Sequence, residues 1–290
     1  MAQIAPQPPS GCIMASRRGH RPVLLTGVDG HPPPVWRELL LVFVFYGAYT
    51  ITRLILSPTG GAGPAFSHAT DILSLERVLG LDVELGMNKA LIGVPWLARA
   101  ANVFYATAHF AVTLSVLVWL YRRRPAHYRR LRAALMAATA IALAGFWLYP
   151  LAPPRLIGHG YVDPVVALHT FGLYSGHGSG ELTNQFAAMP SMHAGWALWC
   201  GFVLARLGGR AWVRALGALY PVVTVLVILS TANHYLLDAV AGVVIVAVTM
   251  TVSWRVHRHL LLKKESELVR QVGHKLTTPT SIEDMPNARV

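Results

Sequence analysis

The sequence predicts an all-α, polytopic membrane protein: a bundle of six transmembrane helices with one amphipathic helix at the interface. Three observations predict it. Of the 290 residues, 54% are hydrophobic and only 13% charged, against about 25% charged in soluble domains. The mean hydropathy is +0.46. The apolar residues fall in long runs that approach or exceed the ~18–20 residues a helix needs to cross a bilayer, not in the short alternating segments of a β-barrel.

The elements follow in order. Residues 1–36 are Pro-rich and polar, hold no apolar stretch of signal-peptide length, and read as a disordered tail. Spans are expected near 39–56, 96–120, 131–151, 191–207, 211–230 and 235–254, within a membrane domain over 37–258. Residues 259–290 read as a cytoplasmic tail. Between the first two spans, Leu73, Val78, Leu81 and Leu85 recur at near-helical spacing among charges, which predicts an amphipathic helix on the membrane surface. The linker 152–190 is long and rich in Gly, Pro and His, and loops of that length are often functional. Cys12 lies in the tail and Cys200 in an apolar run, so no disulfide framework is expected.

The net charge of +12 would suggest nucleic acid in a soluble protein, but the basic residues sit between apolar runs, so topology explains them and no nucleic-acid partner is expected. Arg17, Arg18, Arg21 and Arg37, then the six arginines of YRRRPAHYRRLR, then Arg206, Arg210 and Arg214, then Arg255, Arg258, Lys263 and Lys264 all fall on one side of a six-span protein. The positive-inside rule makes that side cytoplasmic, with both termini inside. The expectation is a multi-pass protein of the plasma (cell) membrane whose opposite loops face out.

Three polar clusters lie at that outer face: YPLAPPRL ending span three, NQFAAMPSMHAGW opening span four, and NHYLLDAVAG joining spans five and six. Polar groups in membrane segments are costly and point to function. His234 and Asp238, four apart, stack on one helix face, where the carboxylate fixes the tautomer of the imidazole. A polar pair bridging helices, or a metal-bound His with Asp behind it, fits the same spacing. Ser191 is a good N-cap, and the helix start behind it suits an anion. His193 in the first turn can give a proton to a leaving group there, or be only an interfacial histidine. Arg155, stiffened by neighbouring prolines, suits bidentate phosphate contact, or snorkels to a headgroup. No run of Asp and Glu suits magnesium; no metal and no cofactor is expected. The set suits phosphoryl transfer through a phosphohistidine: one His attacks, Asp orients it, and the other His protonates the leaving oxygen.

The order P-S-x-H, then H-x-x-x-D, resembles the type 2 phosphatidic acid phosphatase superfamily, in particular the branch with the inositol phosphorylceramide synthases. The resemblance runs from about residue 39 to 255. It implies that His234 is the nucleophile, Asp238 its orienting partner, His193 the general acid and later base, and Ser191 and Arg155 phosphate ligands. The chain departs from the phosphatase pattern. Leu148 stands where the first motif has lysine, Leu156 where proline follows the arginine, and Val227 and Ile228 where the third motif has Ser-Arg. The branch of the inositol phosphorylceramide synthases shows a similar loss, which shifts the expectation from hydrolysis toward transfer to an alcohol.

The expected function is therefore a lipid phosphotransferase, moving a phospho-headgroup between a phospholipid or sphingolipid-like substrate and a polyol or sugar acceptor. A lipid phosphate phosphatase is the alternative, and a proton-coupled transporter the alternative of another class. Asn184, Gln185, Asn102, Tyr105 and His109 are possible substrate contacts, the last three sharing one face of span two, with His109 deeper than the motifs. His159, His169 and His177 fit no metal-ligand spacing and are expected to face solvent.

Overall fold

A computed structural model describes residues 33–55, 63–169 and 185–277. It is a bundle of helices: α1 (Val35–Ile55), α2 (Gly63–Leu79), α3 (Glu84–Ile92), α4 (Pro95–Arg123), α5 (Pro125–Leu148), a 3-10 turn (Pro154–Leu156), the short α6 (Pro164–Ala167), α7 (Met192–Leu207), α8 (Ala211–Ser230) and α9 (Leu236–Thr277). Among the described residues there is no strand, only an isolated bridge between Leu151 and Ala187. Four helices have the length and apolarity to cross a membrane: α4, α5, α8 and the part of α9 up to Gln271. α7, at 16 residues, is about 24 Å long at 1.5 Å per residue.

α7 is the hub. Ala194, Gly195, Ala197, Trp199, Cys200, Gly201 and Val203 are buried along it, and α4, α5, α8 and α9 pack around it. Its core partners are Val116 and Leu120 of α4, Leu131, Leu135 and Ala138 of α5, and Val246 of α9. Two indoles pin α5 to it: Trp199 Nε1 donates to the Leu131 carbonyl at 3.0 Å and Trp196 Nε1 to Thr139 Oγ1 at 3.1 Å. Apolar side chains cannot drive helices together in a lipid solvent, so close packing of small residues and such polar links carry the association. The unpaired thiol of Cys200 lies 3.4 Å from Thr113 Oγ1 in this core.

The helix starts and ends sort into two layers. Arg124, at the α4–α5 turn, donates to the carbonyl of Leu207, which ends α7. Ser253 Oγ on α9 donates to the carbonyl of Arg130 on α5. Glu38 of α1 pairs with Arg132 and accepts from the hydroxyl of Tyr128. These links gather the arginine-bearing turns at one end of the bundle. The end of α5, the start of α7, the end of α8 and the start of α9 share the other.

Two sequence expectations change. The predicted interfacial amphipathic helix is two helices. Gly80, at φ +68°, ends α2 with its amide on the Arg77 carbonyl, and the Leu81 amide returns to the Glu76 carbonyl, the double bond of a Schellman stop. The buried face of α2 is Ala65, Ala69, Ile72, Leu73 and Glu76, while Val78 is 85% exposed. The expected register failed because a buried glutamate sits in the apolar stripe. The last helix also runs on to Thr277, past the predicted span end at 254; about half of the expected C-terminal tail is a continuation of α9, since no glycine or proline interrupts 243–272. Residues 1–32 and 278–290, the rest of the two expected tails, lie outside the described residues.

The two site-bearing helices meet backbone to backbone. A Cβ on Gly242 of α9 would collide with the carbonyl of Ser191, and one on Gly195 of α7 would sit 3.1 Å from the Gly242 carbonyl. Gly242→Ala is expected to push α7 and α9 apart at a cost of about 1–3 kcal/mol, read as a lower Tm in detergent together with loss of turnover.

Candidate functional site

His234 lies in the short link between α8 and α9. Asp238 lies in the first turn of α9, four residues on, as the H-x-x-x-D spacing predicts. Its Oδ1 and Oδ2 lie 3.1 and 3.3 Å from His234 Nδ1, and Oδ2 also accepts the Tyr235 amide at 3.0 Å. That second bond is half of a capping box, so one carboxylate both starts the helix and orients the imidazole. Asp238 is fully buried and His234 nearly so.

Ser191 precedes α7. Its hydroxyl accepts the Ala194 amide at 3.4 Å, the N-cap bond the sequence predicts, and its own amide donates to the Asp238 carbonyl at 3.0 Å. The start of α7 is thus bonded to the start of α9. This brings His193, in the first turn of α7, to a ring-centroid distance of 5.4 Å from His234. Nε2 of each histidine is buried and has no hydrogen-bond partner among the described residues.

From α4, Tyr105 stacks on His193 at 4.3 Å with the rings 18° from parallel, and the His109 ring lies 4.1 Å from that of His193. His109 Nδ1 is 3.1 Å from the Tyr105 carbonyl. The two residues form one aromatic wall. His109 follows Tyr105 by one turn of α4, and its ring also lies 6.0 Å from that of Trp196, one turn further into α7.

Arg155 belongs to the 3-10 turn after α5. Its amide donates to the Ala232 carbonyl at 2.9 Å and its Nε to Asn233 Oδ1 at 2.9 Å. One Nη donates to Asp163 Oδ2 at 3.1 Å and to Gln185 Oε1 at 3.5 Å. Arg155 is therefore fixed, by its amide and its guanidinium, to the two residues that precede His234. Asn233 is itself held, donating to Thr231 Oγ1 at 2.9 Å. Below this loop, Asn88 of α3 is fully buried; it donates to the carbonyls of Val162 and Ser230 and accepts the Val162 amide.

A family model for the PAP2 superfamily matches residues 70–252. The chain belongs to the PAP2 superfamily. It is also similar to the phosphoinositol dihydroceramide synthase of Bacteroides thetaiotaomicron, 26% identical over 161 residues, which are 49% of this chain and 51% of that protein. The chain thus spans about half the length of the relative it matches. That similarity supports the branch to which the three motifs point. No solved structure matches the chain.

Within this PAP2 bundle the residues predicted for the site mostly converge. His193, His234, Asp238, Ser191 and Arg155 form one cluster; Gln185 joins it through Arg155, and Tyr105 and His109 through His193. Asn102 is buried on α4, one turn before Tyr105. Asn184 and His177 lie outside the described residues, and His159 and His169 are exposed. Sequence reasoning missed Asp163, Asn233 and Asn88, which brace the arginine and the loop before His234. The only signal for Asn233 was its place beside His234; Asp163 and Asn88 read as ordinary loop and surface polar residues.

It also missed two glutamates. Glu76 and Glu84 are fully buried between the α2–α3 pair and the start of α9. Burial pushes the Glu76 carboxyl up to about 8; the charges of Glu84 and Asp238 add to that, against the Leu237 amide it accepts. Burial also raises Glu84. The folded protein holds the Glu76 proton to about pH 8, whereas the unfolded chain releases it near the ordinary 4.5. This contribution to stability is complete below the unfolded value and is lost as pH rises through about 8. Thermal denaturation in detergent should show Tm falling across that window, and Glu76→Gln should flatten the fall.

Proposed function

We propose that the protein is a multi-pass membrane enzyme of lipid phosphate chemistry that works through a phosphohistidine. The observation that carries this reading is the pair of histidines, 5.4 Å apart by ring centroid, each with a buried Nε2 that has no partner among the described residues, one of them held through Nδ1 by Asp238. His234 Nε2 attacks phosphorus and the bond from phosphorus to the lipid oxygen breaks. His193 delivers a proton to that leaving oxygen. His193 then removes the proton of an acceptor hydroxyl, whose oxygen attacks phosphorus and releases His234. Asp238 keeps the attacking nitrogen free of its proton by holding that proton on Nδ1. Arg155 and the first amides of α7 balance the charge on the phosphoryl oxygens.

We place transfer to an alcohol ahead of hydrolysis. Three positions where the phosphatase pattern has polar or basic residues, Leu148, Val227 and Ile228, are apolar here, and Ile228 is packed against Ala194, Leu229 and Ala239 where no cation fits. The similarity to a protein named as a phosphoinositol dihydroceramide synthase favours the same outcome. The donor is a phospholipid or sphingolipid-like molecule and the acceptor a polyol, a sugar or a lipid alcohol. We further propose six spans, with α1 and α7 as the two beyond the four of evident length, arginine-rich turns and both termini in the cytoplasm, and the site at the extracytoplasmic face of the cell membrane.

His234→Ala should abolish turnover and His193→Ala should lower it at least a hundredfold, on the order of a lost general acid–base, with both variants folded. Turnover that survives both changes rejects the phosphohistidine. Incubation of the purified protein with labelled phospholipids, with and without inositol, separates the two outcomes: a new phosphodiester marks a transferase, free phosphate a phosphatase. Chelation of magnesium should leave the rate unchanged.

A further inference from the structure

The first amides of a helix have no partner inside the helix and must be satisfied from outside. At α9 this is done by carboxylates at consecutive positions. Asp238 takes the Tyr235 amide at 3.0 Å, Glu84 Oε1 the Leu236 amide at 2.7 Å, and Glu76 Oε1 the Leu237 amide at 2.8 Å. The two glutamates reach α9 from 152 and 161 residues away in sequence, on the helices flanking the Gly80 turn. Both are fully buried, which for a carboxyl group is costly unless the bonds it makes are needed.

What those bonds fix is the segment that carries the reacting pair. Tyr235, Leu236 and Leu237 lie between His234 and Asp238, and the four-residue geometry that puts Nδ1 on the carboxylate exists only while these residues stay in register. We propose that Glu76 and Glu84 are positioning residues for the His234–Asp238 pair, clamping the backbone between them from the α2–α3 helices. The proposal rests on His234 being the nucleophile. The clamp works through acceptor oxygens placed at two amides, so its requirement is an oxygen at the right reach and not a negative charge.

That distinction gives the test. Glu84→Gln keeps an acceptor oxygen at full length but cannot ionise; Glu84→Asp keeps an ionisable carboxyl but withdraws the oxygen by one methylene. The same pair is made at Glu76. Turnover of labelled phospholipid is measured per folded molecule, with the folded fraction taken from gel filtration and Tm in detergent. The Gln variants should keep kcat within about threefold of the unaltered protein. The Asp variants should lose about tenfold or more, the scale seen when a residue orienting a reactive ligand is altered, while KM for the lipid moves less than about threefold. Asp variants with unchanged kcat per folded molecule would overturn the proposal, as would Gln variants that are inactive while the Asp variants work. A His234→Ala control separates the two levels: if it turns over substrate, the phosphohistidine reading has failed, and if it is inactive while the Asp variants match the unaltered protein, only the clamp has.

Discussion

The start of α9 is the constraint on which the rest of the site depends. A helix that begins inside a membrane protein brings amides into a place where water cannot satisfy them, and each would cost several kcal/mol if left alone. Here the amides of Tyr235, Leu236 and Leu237 are each met by a carboxylate, and the carbonyl of Asp238 takes the Ser191 amide. These bonds set where the helix begins, and that point sets where His234 stands. The α7 start is tied to the same residue, so His193 follows. Arg155 is hung from Ala232 and Asn233, one step before. One helix origin therefore locates the histidine pair, its orienting acid and the guanidinium.

Charge divides the bundle along its length. Arginine-bearing turns are cross-linked at one end through Arg124, Arg132 and Ser253, and the buried acids and histidines gather at the other. Those arginines meet a backbone carbonyl and a carboxylate. The acids are withdrawn from solvent, each with one oxygen on an amide. Both arrangements obey the same rule: a polar group at a membrane boundary persists where it has a partner.

The sequence made the bundle legible because spans and arginine clusters are properties of composition, which needs no tertiary information. The residues proposed to react were legible for a related reason. His234 and Asp238 are local to one turn, and Ser191 and His193 to another, so helical spacing alone brings them into register. What stayed hidden came from far along the chain. Glu76 and Glu84 look like surface residues of an amphipathic helix until the helix is seen to break at Gly80 and turn that face toward α9. Asp163 and Asn88 look like loop and surface polarity because their partners, Arg155 and the Val162 and Ser230 backbone, are assembled only by the fold.

The contact between Gly242 and Ser191 has one more consequence. Where helices meet through side chains, their separation drifts as those side chains are exchanged over generations. Where peptide groups touch directly, as the collision awaiting any Cβ at Gly242 implies, the spacing is set by the van der Waals radii of backbone atoms common to every sequence. The distance between the two histidines is thus insulated from the apolar residues around them. The lipid-facing surfaces of α4, α8 and α9 can be rewritten for a different bilayer or a different acyl chain while the gauge of the reaction site stays the same.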